Sequence, residues 1–350
     1  MPDAPSPLRV AVSGAGFFSS FQLRAWRRLP GVALVGVCNR TRAKAEAAAR
    51  EHGVEAAFDD LATMLDAAKP DLLDVVTPPE THGVTLALAT ARGVPVVCQK
   101  PFCASLAEAR DVAAAADRVG VPVFVHENFR FQPWHEEIRR LVADGAIGEP
   151  YQAAFRIRPG DGQGPAAYQD RQPYFRDMER FLVRETAVHV VDLLRALLGE
   201  VVAVSARLRQ LNPVIRGEDS GMILLEFADG PWGVIDGNRL VDHATDQPRR
   251  TLGEMLVEGS DGALRLDGAG RLFRRSRGQR SERHHVYCWE DREFAGDCVY
   301  RLQRALVSHL REGTPMPNQA RAFLRNVEIE AAIYQAHTEG RRIAVDDHDH

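Results

Sequence analysis

The first third of the chain alternates short runs of β-branched residues with longer segments rich in Ala, Arg and Glu. Continuous apolar runs predict strands that are buried on both faces, as in a parallel sheet covered by helices. The predicted strands occupy residues 8–12, 32–37, 72–76, 94–98 and 121–125. The predicted helices between them include residues 41–50, 81–92 and 105–118. This pattern predicts a doubly wound α/β domain of the Rossmann type at residues 6–126.

After residue 126 the periodicity becomes that of half-exposed strands. One predicted strand face between residues 151 and 158 carries Tyr151, Ala153, Phe155 and Ile157. Further strands are predicted at 201–208, 222–227, 232–236 and 263–266, with helices at 185–198 and near 323–334. Turns such as Asp229-Gly230 favour hairpins. We therefore expect a separate α+β domain at residues 127–346, with a large, mostly antiparallel, open-faced sheet. An uncovered apolar sheet face needs a partner, so this sheet is expected to form a homodimer or homotetramer.

Composition narrows the functional classes. The 350 residues contain 44 Lys plus Arg against 48 Asp plus Glu, and the net charge of −4 gives no general attraction to nucleic acid or anionic membranes. The five cysteines are odd in number and none is spaced C-x-x-C, which is typical of a reduced cytosolic protein. No apolar stretch approaches the length of a membrane helix. We expect a cytoplasmic protein that uses no metal, and treat the tail DDHDH (346–350) as solvated.

A glycine turn follows the first predicted strand, with the sequence Gly14-Ala15-Gly16-Phe17-Phe18-Ser19. It reads G-x-G-x-x-G with Ser in the third position. Gly14 would permit the tight turn, and Gly16 would let a pyrophosphate approach backbone N–H groups at a helix N-terminus. An ordinary tight turn between strand and helix is the alternative. Because the turn opens a βαβ unit, dinucleotide binding is favoured, with Phe17 and Phe18 beside the cofactor.

The second predicted strand ends at Asn39-Arg40-Thr41-Arg42. An NAD enzyme usually places an acid here for the ribose 2′-hydroxyl, whereas Arg40 and Arg42 could pair with a 2′-phosphate. The alternative is that Thr41 caps the next helix and both arginines are solvated. The pattern favours NADP slightly over NAD.

Two further strand ends point to the same cleft. The third delivers Thr77 and Pro78 into a rigid turn that continues to His82. The fourth delivers Gln99 and Lys100, and Pro101 biases Lys100 toward an extended backbone. Lysine is scarce, with Lys44, Lys69 and Lys100 the whole set. A lysine desolvated beside a nicotinamide ring suits proton transfer near neutral pH, although a surface lysine is the commoner case.

Together these residues carry a resemblance that covers nearly the whole chain. The chain resembles the family of glucose–fructose oxidoreductase, inositol dehydrogenase and rhizopine-catabolism proteins, which implies a nicotinamide-dependent oxidoreductase. Gln99-Lys100-Pro101 stands where that family has Glu-Lys-Pro. The segment from Asn128 to Pro133 is similar to the family's domain junction, which implies that Asn128 and Arg130 approach cofactor or substrate.

The resemblance also implies a catalytic helix, which the family writes as Asp-x-Gly-x-His with a further acid three residues later. Here Glu185, Ala187, His189 and Asp192 occupy those positions, and the i, i+4 spacing places Glu185 and His189 on one helical face. His189 would relay the substrate proton together with Lys100, and Glu185 would hold substrate hydroxyls or orient the imidazole. A histidine satisfied within the core is the alternative.

Several side chains near this helix are candidates for substrate contact. A Gly/Pro-rich segment at 159–177 is either a functional lid or disordered. The candidate substrate residues are Arg130, Arg156, Arg158, Tyr168, Arg171 and Tyr174. The arginines, with Arg176, could indicate an acidic or phosphorylated sugar, and exposed arginines on a sheet and loop would explain them nearly as well.

The resulting expectation is an NAD(P)-dependent dehydrogenase that transfers a hydride between nicotinamide and a hydroxyl-bearing carbon of a sugar, polyol or cyclitol. One alternative is a glycosidase that retains its cofactor and acts by transient oxidation and elimination. Another is a non-catalytic regulator that binds nucleotide or sugar, which the presence of Lys100 and His189 disfavours. A metal hydrolase built on His284-His285 is weaker still, since adjacent residues of a strand point to opposite faces.

Overall fold

A computed structural model describes residues 6–170 and 172–345. These residues divide into two compact units. The first comprises residues 6–128 and 297–325, and the second comprises 129–296 and 326–345. The first unit therefore includes a segment beyond residue 296, which the expected division at residue 126 does not contain.

The first unit is built on a six-stranded sheet in which every strand pair of the described residues is parallel. Its strands are β1 (Leu8–Ser13), β2 (Val32–Cys38), β3 (Ala57–Phe58), β4 (Leu72–Val75), β5 (Val96–Cys98) and β6 (Val123–Val125). Their order is β3-β2-β1-β4-β5-β6, which turns around at β1. Ligands of open α/β sheets bind at the carboxyl edge of such a turning point. The predicted Rossmann arrangement is confirmed.

Helices connect the strands of this sheet. They are α1 (Ser19–Arg28), α2 (Arg42–His52), α3 (Leu61–Ala68), α4 (His82–Thr90) and α5 (Leu106–Val119). Gly53 ends α2 with φ +67° and donates its N–H to the Ala49 carbonyl, as a left-handed cap requires. The short strand β3 and the helix α3 were not predicted. Asp60 accepts the Thr63 N–H at 2.7 Å and so caps α3 at its N-terminus.

The second unit holds a nine-stranded mixed sheet in the described residues. After helix α6 (Pro133–Ala143) come β7 (Pro150–Ile157), helix α7 (Val188–Leu198), β8 (Val201–Arg209), β9 (Ser220–Phe227), β10 (Trp232–Asn238), β11 (Gly253–Gly259), β12 (Gly262–Leu266), β13 (Leu272–Ser276) and β14 (Arg283–His285). Helices α8 (Phe294–Glu312) and α9 (Ala320–Glu339) precede β15 (Ile343–Ala344). The order is β14-β13-β12-β11-β7-β10-β9-β8-β15, and only β7 and β10 pair in parallel. The predicted mostly antiparallel sheet is confirmed.

One face of this sheet carries exposed apolar side chains. Met222 and Trp232 are 52% and 54% exposed on neighbouring strands, while Ala153, Phe155 and Ile157 are buried on the other face. Tyr151, which is placed on the same predicted face as Ala153, is exposed at the start of β7. Association of copies through this sheet stays a prediction. In the described residues, no helix is long and apolar enough to cross a membrane.

Helix α8 explains why the first unit contains a late segment of the chain. Arg28 donates to both carboxylate oxygens of Asp297 at 2.7 and 2.6 Å. Gln303 is buried and donates to the Gln22 carbonyl at 3.3 Å. After α8, Asn318 accepts the Val125 N–H at 2.7 Å through its own carbonyl. The segment therefore contacts α1 and the edge strand β6 of the first unit, which sequence periodicity does not reveal.

Candidate active site

The glycine turn after β1 has the geometry that a dinucleotide needs. Gly14 has φ +116° and donates its N–H to the Cys38 carbonyl at 2.8 Å. A Cβ at this position would lie 2.6 Å from the Val76 carbonyl oxygen, so only glycine fits. A Cβ at Gly16 would instead meet nothing within 4 Å, which leaves this backbone open at the start of α1. This open backbone fits a pyrophosphate at a helix N-terminus.

The aromatic residues of the turn differ in exposure. Phe17 is 53% exposed, and Phe18 is half-buried at the N-terminal end of α1. Ser19, which replaces the third glycine, is buried and donates its hydroxyl to the Gly16 carbonyl at 2.6 Å. The serine thus ties the turn to the helix, as close packing of strand and helix requires.

The end of β2 is organised by Asn39. Its side-chain oxygen accepts the Ala15 N–H at 3.2 Å, and its amide nitrogen donates to the Thr41 carbonyl at 3.2 Å. Arg42 pairs with Glu46 at 3.1 Å and with Asp59 at 3.7 Å. Arg40 is exposed and makes no hydrogen bond or ion pair with other described residues. Of the two predicted phosphate contacts, Arg40 is the arginine that no carboxylate of the described residues neutralises.

The turn after β4 is braced by a buried histidine. The two ring nitrogens of His82 lie 2.8 Å from the Thr77 carbonyl and 3.0 Å from the Phe102 carbonyl. Burial lowers the pKa of His82, although its contacts with the two carbonyl oxygens act in the opposite direction. Thr77 is half-buried and Pro78 is exposed, which leaves these two residues of the turn accessible. His82 is fully buried and contacts the turn through the Thr77 carbonyl.

Lys100 follows directly after β5. It is half-buried, and its backbone N–H donates to the side-chain oxygen of Gln99 at 2.9 Å. The Lys100–Pro101 peptide bond is cis. Asn128, at the end of the first unit, is buried. The carboxyl ends of β1, β2, β4 and β5 thus bring most of the predicted cofactor residues to one edge of the sheet.

In the second unit, the predicted catalytic helix begins with a turn of π-helix. Residues Leu182–Ala187 are π-helical and continue directly into α7. Glu218 accepts the backbone N–H groups of Phe181 and Val183 at 3.2 and 3.0 Å. It also accepts the Tyr334 hydroxyl at 2.6 Å. The carboxylate therefore satisfies N–H groups that a helix start leaves without partners. π-Helical turns occur frequently at functional sites.

His189 and Asp192, both on α7, have different surroundings. The His189 ring stacks on Phe129 with 3.9 Å between ring centroids and 6° between planes. Asp192 is buried and accepts two hydrogen bonds from Arg130, at 2.6 and 2.5 Å. Asn326 donates to the same carboxylate at 2.7 Å. The acid is thus engaged in a buried ion pair, and the predicted substrate residue Arg130 is its partner.

A buried arginine lies beside the π-helical turn. Arg239 donates to Asp161 at 2.8 Å, to the Tyr168 hydroxyl at 2.8 Å and to the Thr186 hydroxyl. Burial disfavours the charged guanidinium, but Asp161 above all, and also Glu185, keep the pKa of Arg239 raised. Glu185 itself is half-buried. The guanidinium of Arg239 and the hydroxyl groups of Tyr168 and Thr186 therefore lie at or beside the π-helical turn.

The remaining predicted substrate residues have varied surroundings. Arg158 is buried and donates to Asp236 at 2.5 Å and to two backbone carbonyls, so it is part of the sheet's structure. Arg156 is exposed and pairs with Glu254 at 3.3 Å. Tyr168 is buried with φ +65°, whereas Tyr174 is exposed. Arg171 lies outside the described residues, as does the tail 346–350.

Sequence reasoning missed Arg239, Asp161 and Glu218. Arg239 and Asp161 are 78 positions apart, and Glu218 lies 35 positions beyond Val183. No local pattern joins such residues. The sequence offered only the charged residue types themselves, since Arg and Glu are seldom buried without a partner of opposite charge or a hydrogen bond. In the described residues, no cluster of three or more metal-ligating side chains occurs.

Comparisons with known proteins agree with this arrangement. Residues 8–127 match the model of an oxidoreductase family with an NAD-binding Rossmann fold, and residues 135–265 match the GFO/IDH/MocA C-terminal domain. A D-apiose dehydrogenase of Paraburkholderia graminis is 34% identical over 346 residues, which cover 95% of this chain and 88% of the relative. A scyllo-inositol 2-dehydrogenase (NAD(+)) of Bacillus subtilis is 28% identical over 352 residues, which cover 95% of this chain and 98% of the relative.

Solved structures show the same two-unit fold. An oxidoreductase from Agrobacterium radiobacter, determined in complex with NAD+, L-tartaric acid and magnesium, superposes with a TM-score of 0.87 at 27% identity. The match covers 97% of this chain and 99% of that one. Two models of one family match residues 8–127 and 135–265, and the D-apiose dehydrogenase match covers 95% of the chain, so the chain belongs to the GFO/IDH/MocA family of NAD-binding oxidoreductases.

Proposed function

We propose that this dehydrogenase oxidises a hydroxyl group of a small free sugar, with D-apiose as the first substrate to test. The proposal is supported by the D-apiose dehydrogenase that is 34% identical over nearly the whole chain. The structural observation that carries it is the pair of rings at Phe129 and His189, which fixes a buried imidazole on α7. Because Arg130 engages Asp192, His189 is the group of α7 suited to exchange a proton with a substrate.

The cofactor residues follow from the strand ends of the first unit. Gly14 and Gly16 would accommodate the pyrophosphate, and Asn39 would lie near the adenosine ribose. The nicotinamide supplies the acceptor for the hydride that leaves the substrate carbon. Further contacts with the cofactor are proposed for Phe17, Phe18, Arg40, Thr77, Pro78, Gln99 and Asn128.

The protein's own contribution is proton transfer and orientation. We assign the removal of the hydroxyl proton to a ring nitrogen of His189 with help from the Lys100 amine. Glu185 would accept hydrogen bonds from other hydroxyls of the sugar. Glu185 lies near enough to Arg239 to help keep the pKa of that guanidinium raised. A sugar with several neighbouring hydroxyls matches such a set of groups.

Steady-state reduction of NAD+ and of NADP+ with D-apiose tests the proposal, with D-xylose and myo-inositol as comparison substrates. We expect turnover of D-apiose with a kcat/KM at least about tenfold above that of the other two, a ratio that corresponds to about 1.4 kcal/mol. His189→Asn and Lys100→Met should each lower kcat by about 100-fold or more while cofactor binding persists. Turnover that both variants retain would refute the assigned roles.

The preference between NAD and NADP depends on the end of β2. Asn39 brings no negative charge that would repel a 2′-phosphate, and Arg40 is exposed without a carboxylate partner among the described residues. Arg42 is engaged by Glu46 and Asp59, which weakens its part in the prediction. A preference for NADP would therefore depend mainly on Arg40, and comparison of the two cofactors in the same assay measures it.

A further inference from the structure

A chain of hydrogen bonds runs from the half-buried residues Lys100 and Gln99 to the buried residues Gln22 and Asp74 of the first unit. The Lys100 backbone N–H donates to the side-chain oxygen of Gln99 at 2.9 Å. The Gln99 amide nitrogen donates to the Gln22 side-chain oxygen at 2.9 Å, with the Gln22 amide oriented to satisfy its neighbours. The Gln22 amide nitrogen then lies 2.8 and 2.9 Å from the two oxygens of Asp74. Trp26 donates to the same carboxylate at 2.7 Å.

Every hydrogen bond of this chain runs from donor to acceptor in the same direction, from Lys100 toward Asp74. A backbone N–H can only donate, so Lys100 fixes which end of the Gln99 amide faces it. The orientation of Gln99 then fixes that of Gln22, and Gln22 can only donate to Asp74. Asp74 accepts every one of its contacts in the chain, which an ionised carboxylate does and an amide cannot.

Because Asp74 is buried, a change in the direction of these hydrogen bonds would leave buried polar groups without partners and lower the stability of the fold. The residue is fully buried in β4, and Gln22 is fully buried in α1. Burial raises the pKa of Asp74 to about 7 although the Trp26 N–H favours the anion. The contacts from Gln22 favour the anion further. Among the described residues no cation pairs with this carboxylate, so N–H donors alone hold it.

We propose that Asp74 is a positioning residue for Lys100, and that the carboxylate at 74 and the amide at 99 can be exchanged only as a pair. Asp74 terminates the chain that fixes Gln99 and the Lys100 backbone. The importance of Lys100 for turnover rests on the proposed function, whereas the coupling between positions 74 and 99 does not.

The numbers of donors and acceptors in the chain predict the effect of each substitution on its hydrogen bonds. In Asp74→Asn, an amide nitrogen faces the amide nitrogen of Gln22, and two donors meet. In Gln99→Glu, two carboxylates compete for the N–H groups of Gln22. In the double variant the chain reverses: the amide introduced at position 74 donates to Gln22, and Gln22 donates to the carboxylate introduced at position 99. That carboxylate still accepts the Lys100 N–H. Every buried group then has a partner again.

Thermal unfolding of the full chain without cofactor tests the coupling. Asp74→Asn and Gln99→Glu should each lower Tm by about 3 °C or more. The double variant should unfold above both single variants, which is the signature of two interacting sites. Asp111→Asn, an exposed change of the same chemistry on α5, should leave Tm within about 1 °C. A double variant that unfolds at or below the less stable single variant would overturn the proposal.

Hydrogen exchange and steady-state kinetics distinguish a role of Asp74 in positioning Lys100 from a role in stability alone. Hydrogen exchange of the Lys100 amide should accelerate by about tenfold or more in each single variant and slow again in the double variant. With D-apiose, kcat should fall in the single variants and recover in the double variant, while KM changes less. If the wild type does not turn over D-apiose, the proposed substrate fails, and Tm and exchange still decide the inference. Unchanged Lys100 exchange in both single variants would refute the positioning role.

Discussion

The imidazole ring of His189 lies parallel to the phenyl ring of Phe129, with 3.9 Å between their centroids and 6° between their planes. Phe129 belongs to a short 3-10 helix, Phe129–Phe131, and His189 to the first turn of α7. Stacking restricts rotation of the imidazole about its side-chain bonds. The group that we propose for proton transfer is therefore oriented before a substrate arrives.

Replacing Phe129 should misorient His189 without removing it. We expect Phe129→Leu to lower kcat by about 10- to 100-fold, because small errors in the placement of a reacting group are costly. KM should change less. Phe131→Leu, in the same 3-10 helix, is the matched control and should retain most of the activity. Equal losses in both variants would attribute the effect to general loosening of this segment.

The pair of Arg130 and Asp192 should serve stability more than chemistry. Both side chains are nearly buried and meet in two hydrogen bonds of 2.6 and 2.5 Å. We expect Arg130→Met or Asp192→Leu alone to lower the free energy of unfolding by about 3–5 kcal/mol, because the remaining charge stays buried without its partner. Denaturant titration measures this loss.

The double variant Arg130→Met with Asp192→Leu is the control for this interpretation. It should regain most of the lost stability, since no buried charge remains. Additive losses in the double variant would indicate that the pair contributes net stability in itself. Single variants that lose less than about 1 kcal/mol would contradict the prediction directly.

The Gly/Pro-rich segment at 159–177 is fixed by Arg239. Asp161 and Tyr168 of this segment bind the Arg239 guanidinium, and the Gly162 N–H donates to the Arg239 carbonyl at 2.9 Å. We expect Asp161→Asn to raise KM for the sugar by about tenfold with a smaller change in kcat, because the segment loses a charge-assisted hydrogen bond. Asp170→Asn, an exposed change on the same segment, should behave as wild type. Limited proteolysis should cleave the segment faster only in the Asp161 variant.

Features that depend on residues close together in the sequence were predictable, whereas contacts between distant positions were not. The strands of the Rossmann unit and the glycine turn depend on neighbours along the chain, so periodicity and the φ of Gly14 were predictable. The Arg239–Asp161 pair and the cap that Glu218 provides join positions far apart in sequence. Glu218 accepts N–H groups at the start of the π-helical turn, and the spacing of Glu185 and His189 alone could not reveal this contact. The hydrogen bonds that link Asp74 to Gln99 through Gln22 likewise need the order of the strands.

Two buried histidines should make the protein sensitive to acid. Burial lowers the pKa of His126 and of His135 from 6.5 to about 4. Between these values the unfolded chain binds protons that the folded chain does not. Stability is therefore fully present above pH 6.5 and is lost as the pH falls toward about 4. Each histidine contributes about 3 kcal/mol to this loss.

Denaturant titrations between pH 4 and 7 measure the loss, and single His→Asn variants assign it. His126→Asn and His135→Asn should each flatten the decline of stability with acid, whatever they do to stability at pH 7. His284→Asn is the matched control, because His284 is exposed on β14. A decline of unchanged steepness in both buried variants would show that other groups cause it.

The cofactor preference should respond to Arg40 and Asn39 but not to Arg42. An arginine beside a 2′-phosphate makes a charge-assisted hydrogen bond, so we expect Arg40→Ala to weaken NADPH binding by about tenfold and leave NADH binding unchanged. Asn39→Asp should weaken NADPH binding further, since a carboxylate would repel the phosphate, and should favour NADH through the ribose hydroxyl. Arg42→Ala is the control, because Glu46 and Asp59 already engage that arginine. Fluorescence titration of each variant with both cofactors measures the ratio. A wild-type protein that binds NADH more tightly than NADPH, with a ratio that Arg40→Ala leaves unchanged, would exclude 2′-phosphate recognition at this strand end.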